Sequence, residues 1–157
     1  MTAYAVSSEG TTAGSVAIKA GVYECRIASI EAYSSYVDGQ WIYFYRYTGA
    51  SMSGGSALSV GALRKGGPTA SATASAGSVT VSGNSELVYQ IWLGAGAVYT
   101  SGSGYQYSGF SDVFTPSLAF TIGPGSILVA TPTLHTSTPA DIWVNVYFEE
   151  LRLQGCY

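Results

Sequence analysis

The sequence predicts an all-β chain: a single jelly-roll β-sandwich of about eight antiparallel strands, entered through an extended N-terminal arm. Three observations carry that expectation. No stretch repeats its apolar residues at helical spacing. β-branched and aromatic runs recur instead, divided by clusters of Gly, Pro, Ser and Asn. Two long connections of small residues, 64–78 and 94–109, supply the crossovers that a jelly roll needs. An immunoglobulin-like sandwich is the rival architecture, and no Cys…Trp…Cys spacing supports it.

Residues 1–10 are small and polar around Tyr4 and Val6, and read as an arm ordered by a neighbour. Val16-Ala17-Ile18 opens the first strand, and Gly21 breaks it. In residues 22–33, Tyr23, Cys25 and Ile27 alternate with Glu24, Arg26 and Ala28. The apolar phase then slips to Ile30, which places a bulge near Ala28-Ser29. Asp38-Gly39 is a turn signal. Trp41 to Tyr47 is the clearest strand; Gly54-Gly55 punctuates, and Leu58-Ser59-Val60 follows. Residues 64–78 hold no side chain large enough to anchor a core and read as a surface connection. Val79-Thr80-Val81 and Glu86 to Leu93 are strands separated by Gly83-Asn84. Residues 94–109, rich in Gly and Tyr, read as a second loop. Leu118 to Ile122 is a short strand, Gly123-Pro124-Gly125 a turn, and Ile127 to Ala130 another strand. Pro132 and Pro139 frame a polar loop before the last strand, Asp141 to Glu150. The expected organisation is thus an arm over 1–10, a jelly-roll domain over 11–150 and a tail over 151–157.

Composition limits the partners. The 157 residues carry a formal net charge of −3, and only 10% are charged, against roughly 25% in an ordinary soluble domain. Few charges suit a surface that lies against neighbours. Arg64-Lys65 is the one basic cluster in the sequence, so nucleic acid is not an expected partner. No apolar run reaches the length of a transmembrane helix, and residues 1–7 lack the charged and apolar regions of a signal peptide. The product is therefore expected in the cytosol unless an assembly carries it out, with no membrane partner. Cys25 and Cys156 make no disulfide framework. Cys25 reads as a small core residue, and Cys156 as an exposed thiol.

Three strands share a pattern. Ile42 and Phe44 fall on one face, and Trp41, Tyr43, Tyr45 and Tyr47 on the other. Leu87, Tyr89, Ile91 and Leu93 oppose Val88, Gln90 and Trp92. Ile142, Val144, Val146 and Phe148 oppose Trp143, Asn145, Tyr147 and Glu149. The aliphatic faces are the expected core. All three tryptophans then share the second face with tyrosines. Three readings of that face stay open: cover by the chain's own loops or arm, a subunit interface, or a sugar-binding platform. As an interface it would use Trp41, Tyr43, Tyr45, Trp92, Trp143 and Tyr147.

Catalytic chemistry finds no foothold. His135 is the lone histidine and sits in a Thr/Ser/Pro-rich loop, and no Gly-x-Ser-x-Gly elbow accompanies it. Glu149 and Glu150 are adjacent on a strand, so they point to opposite faces and cannot flank one bond. Glu24 and Glu31 share a face only if the bulge between them is real. Gly94 and Gly96 are followed by neither a helix pattern nor Gly-Lys-Ser/Thr, so they are no phosphate cradle. No enzyme activity, metal or cofactor is expected.

The order of segments resembles a family of small bacteriophage head decoration (capsid cement) proteins. The resemblance runs through Ala13-Gly14-Ser15-Val16-Ala17-Ile18-Lys19-Ala20, Arg26-Ile27-Ala28-Ser29-Ile30-Glu31-Ala32 and Arg46-Tyr47-Thr48-Gly49. It continues through Gly54-Gly55-Ser56-Ala57-Leu58, the basic and small-residue stretch from Leu63 to Ala74, Ile122-Gly123-Pro124-Gly125-Ser126-Ile127-Leu128 and Val146-Tyr147-Phe148-Glu149-Glu150. The shared order carries the likeness, since each piece alone is a strand or loop composition. The tail after Glu150 and the glycine-rich 94–109 depart from the family pattern. The resemblance implies a single jelly-roll domain that assembles as a homotrimer on the outer surface of the virion and clamps the major capsid protein, after synthesis in the host cytoplasm. Under that reading the arm at Tyr4 and Val6 would add a strand to a capsid subunit. The alternatives are another phage structural part, such as a minor tail or fibre component, or a carbohydrate-binding jelly-roll module that takes a surface glycan.

Overall fold

The computed structural model describes residues 2–12, 15–34, 40–93, 97–100, 104–107, 110–114, 120–132 and 141–152. Its strands are β1 (Thr2–Thr12), β2 (Ser15–Lys19), β3 (Glu24–Ser34), β4 (Gln40–Leu58), β5 (Val60–Ala62) and β6 (Thr73–Leu93). They continue as β7 (Ala97–Thr100), β8 (Gly104–Tyr107), β9 (Phe110–Phe114), β10 (Thr121–Ile122), β11 (Ile127–Pro132) and β12 (Asp141–Leu151). The protein is an all-β antiparallel sandwich of jelly-roll-like character. One sheet runs β10-β3-β12-β1-β5, with β9 also on β3; the other layer is a closed barrel, β11-β2-β6-β4. The segments outnumber the eight expected because β1, β7, β8 and β9 form where no strand was expected, although β6 joins two expected strands into one.

Alternation builds the main core between the layers. Ile27, Ile30, Val144, Val146 and Phe148 come from one sheet; Val16, Ile18, Ile42, Phe44, Ile91 and Leu128 come from the other. Each such side chain stabilises the fold by roughly 1.5–3 kcal/mol relative to exposure. The bulge in β3 falls where the phase slip placed it. Tyr147 pairs with Ser29 and Phe148 with Ile27, so Ala28 is the extra residue and is exposed. Ile27 and Ile30 can then both face inward.

β2 and β11 are buried on both faces. Their even-numbered side chains enter the main core, whereas Ala17, Ile127 and Val129 form a second one with Tyr47, Ala50, Met52, Val79 and Val81 packed against it. This explains their unbroken apolar runs, Val16-Ala17-Ile18 and Ile127-Leu128-Val129-Ala130. The β4–β6 ribbon bends to enclose the second core. Register shifts between Thr48 and Ser51 and between Gly54 and Ser56 mark the bends. Gly54-Gly55 and Gly83 therefore bend strands rather than end them. At Gly83, φ is +139°, and a Cβ would lie 2.8 Å from the Thr48 carbonyl oxygen. Gly83→Ala is expected to destabilise the protein by about 1–3 kcal/mol, read as a lower urea midpoint at unchanged slope.

Several expectations need correction. Residues 2–12 are not an arm that waits for a neighbour. They form β1, paired to β12 from Thr2↔Glu150 to Thr12↔Asp141 and to β5 through Tyr4, Ala5 and Val6. Tyr4 is fully buried and stacks on Phe148 with ring centroids 5.6 Å apart. The 64–78 stretch is not all surface connection: Ala72, Ala74 and Ala76 are buried in the main core. Methyl groups suffice there because the layers approach closely where β6 begins. Within 94–109, Ala97–Thr100 and Gly104–Tyr107 pair as a hairpin. Pro132 is the last residue of β11, and the loop expected between it and Pro139 lies outside the described residues. Leu151 extends β12, and Arg152 is anchored beside it. Asp38-Gly39, His135 and Cys156 lie outside the described residues.

Candidate functional site

The six aromatic residues expected on one face divide between the two layers. Trp41, Tyr43, Tyr45 and Trp92 stand on the outer side of the β4–β6 pair. Trp143 and Tyr147 belong to β12 in the other sheet. Tyr147 alternates with the inward Val146 and Phe148, so it faces out. Its hydroxyl donates to the Glu31 carboxylate at 3.3 Å. Burial and the Glu31 charge raise its pKa above the ordinary tyrosine range. The side chain of Trp143 is outside the described residues.

The four on β4–β6 form a continuous ladder. Trp41 pairs across the strands with Trp92, ring centroids 5.3 Å apart and planes inclined by 56°. Trp41 contacts Tyr43 at 6.4 Å, and Tyr43 contacts Tyr45 at 6.4 Å. A register shift between Phe44 and Tyr45 adds a residue not foreseen from the sequence. Phe44 pairs with Tyr89 but Tyr45 with Leu87, leaving Val88 as the extra residue. That turns Leu87, expected in the core, to the outer face, where it is 48% exposed. Trp92 is 48% and Trp41 37% exposed. Segments 41–45 and 87–92 contain no Asp, Glu, Lys or Arg. The result is an uncharged aromatic ridge on a sheet that is packed beneath and braced at one end by the second core. Such a surface suits contact with another macromolecule, because large rigid rings lose little entropy on binding.

Beyond the ridge, the main polar cluster is structural. Glu150 is fully buried. Its Oε1 accepts from the Ser71 N–H, the Ser71 hydroxyl and the Ala72 N–H at 2.6, 2.8 and 2.9 Å. Its Oε2 accepts from Arg152 at 2.8 Å. Burial alone would raise its pKa, but Arg152, the Ala72 N–H and Ser71 together hold it below the usual carboxylate value. Arg152 also donates to the Tyr4 hydroxyl at 2.8 Å and lies 4.9 Å over the Tyr23 ring. Both carboxylate oxygens are occupied, so this group has no role to spare for proton transfer. It was legible: alternation from Val146 through Phe148 puts Glu150 on the core face. Glu149, on the opposite face, pairs with Arg26.

Glu24 and Glu31 do share the outer face across the bulge, but their spacing along the strand is about 20 Å, too far for a catalytic pair. Cys25 is a buried free thiol pushed up to about 12 by burial and by the charges of Glu150 and Glu24; it stays protonated and unreactive at neutral pH. Among the described residues no group of His, Cys, Asp or Glu could hold a metal ion, and no helix is long and apolar enough to cross a membrane.

Comparison with known proteins finds no matching family model, no matching curated protein and no matching solved structure. What the geometry defines is an antiparallel β-sandwich with an exposed aromatic ridge.

Proposed function

We propose that the chain is a bacteriophage head decoration protein that binds the outer surface of the shell as a trimer and holds neighbouring major-capsid subunits together. The observation that carries this reading is the uncharged ridge of Trp92, Trp41, Tyr43 and Tyr45 on a rigid sheet, in a chain with few charges. The order of segments, which resembles that family, supports it. The work is done by mass action: a protein that binds only the expanded shell stabilises it in proportion to ln(1 + [L]/Kd). A trimer that grips several subunits at once adds avidity. The ridge packs between protomers, and the outward strands of the six-stranded sheet remain for the shell. The role proposed for Tyr4 and Val6 from the sequence is withdrawn, since both edges of β1 are paired within the chain.

Light scattering at several concentrations, with reductant, tests the trimer. A species of three times the 16.3 kDa protomer is expected. Trp41→Ser or Trp92→Ser should weaken its assembly at least about 30-fold, the loss of one interface hot spot. A monomer at every concentration would overturn the preformed trimer. Co-sedimentation with expanded heads, and not with tails, separates decoration from a tail or fibre role. A sugar-binding module is the other reading of the same tryptophans. Trp41 and Trp92 are inclined by 56° and do not form one flat platform, whereas Trp41 and Tyr43 are inclined by only 22°, so binding to a glycan array separates the two readings.

A further inference from the structure

The loop after β5 is surface chain held by buried groups. The Tyr4 hydroxyl donates to the Pro68 carbonyl at 3.1 Å, and Arg152 donates to the Thr69 carbonyl at 2.7 Å. Glu150 fixes Ser71 and Ala72 from within the core. At the other end, the Gly67 N–H donates to the Arg64 carbonyl at 2.9 Å, and Gly66 takes φ +75° to make that turn. A burial as costly as that of Glu150 therefore fixes a loop of small residues with little core of its own. Such pre-organisation favours binding, because the ordering cost is met before the partner arrives.

The loop presents a distinct surface. Leu63 is 57% exposed, and Arg64 and Lys65 are exposed beside it. Arg26, Arg46 and Arg152 each pair with a glutamate of this chain. Arg64 and Lys65 make no ion pair among the described residues. With Ala3 and Pro68 they line a shallow cleft.

The cleft adjoins an open sheet edge. β5 ends the six-stranded sheet. The Leu63 N–H donates to the Ala3 carbonyl, and the register continues as Tyr4↔Ala62, Ala5↔Gly61 and Val6↔Val60. Antiparallel ladders alternate, so Gly61 and Leu63 direct their backbone groups to β1, and Val60 and Ala62 direct theirs outward. No strand takes up that outward edge among the described residues.

We propose that this edge and the Leu63-Arg64-Lys65 corner form a docking site for an extended acidic segment of a partner protein. The segment's backbone adds as a strand along Val60–Ala62, its carboxylates meet Arg64 and Lys65, and an apolar side chain covers Leu63. Charge selects the occupant: the two free cations face an opening with no acidic group on its rim. Two cations beside an exposed leucine are too few for a phosphodiester track. The site lies in the sheet opposite the aromatic ridge and stands independently of the decoration reading.

The test is an NMR titration of the full-length protein with a capped eight-residue peptide of alternating glutamate and valine. Amide shifts concentrated between Val60 and Gly67 are expected, with binding that falls as salt rises. The double variant Arg64→Glu/Lys65→Glu should bind about tenfold more weakly and keep its unfolding midpoint, since both side chains are exposed. Equal binding of a lysine–valine peptide would overturn the charge selection. Stronger shifts of the same amides with octathymidine would reassign the site to nucleic acid. Shifts elsewhere, or none by about 1 mM peptide, would overturn the site.

Discussion

Replacing Glu150 with alanine is expected to lower folding stability by about 3–5 kcal/mol, measured as a shift in the urea midpoint. The carboxylate is fully buried, yet all its close partners are donors: two backbone N–H groups, one hydroxyl and a guanidinium. Removing it leaves the N–H groups of Ser71 and Ala72 without an acceptor beneath the loop, and each orphan costs about 1–3 kcal/mol. Glu150→Gln keeps the shape and one acceptor and should lose less. Arg152→Leu should be comparably severe, because it strands a buried negative charge. The same network sets an acid limit. The folded carboxyl titrates below its unfolded value, so its stabilisation is fully present above the unfolded pKa near 4.3. It is lost as pH falls through the depressed folded value. Glu150→Gln should flatten the acid limb of a stability–pH curve. An unchanged limb would remove the carboxylate from that role.

Tyr4→Ala is expected to cost about 3–5 kcal/mol, and Tyr4→Phe about 1–2 kcal/mol. The alanine variant empties a fully buried site against Phe148. The phenylalanine variant keeps the ring and loses only the hydroxyl that joins Pro68 to Arg152. Thermal unfolding of the two variants separates ring from hydroxyl. A residue on a free arm would give no change in either, so the pair distinguishes a strand from an arm.

Period-two patterning made much of the fold legible. Phe44, Ile91, Val144 and Phe148 face the core as their alternation requires, and the phase slip after Ile27 revealed the bulge at Ala28. Patterning failed where partners lie far away in sequence. Residues 2–12 look like an arm because their alternation is weak; only β12, at the other end of the chain, supplies the ladder that orders them. The alanines at 72, 74 and 76 look like linker because volume, not polarity, is what the close layers require there. The site was half legible. The Trp41–Trp92 pairing follows from the register, but Leu87 was misplaced because Val88 carries no turn signal to mark its bulge. Nothing local could tell that Trp143 and Tyr147 sit in the opposite sheet, since alternation fixes a face and not a layer.

The pairing of β1 with β12 also orders events in time. Thr2 lies opposite Glu150, so β1 has to wait for β12. At roughly 5–20 residues per second on the ribosome, that wait is on the order of ten seconds. During it β1 has a partner only in β5, along Tyr4, Ala5 and Val6, and the edge that β12 will take stays open. A sheet that joins strands so far apart in sequence therefore keeps an open edge for as long as the residues between them take to make.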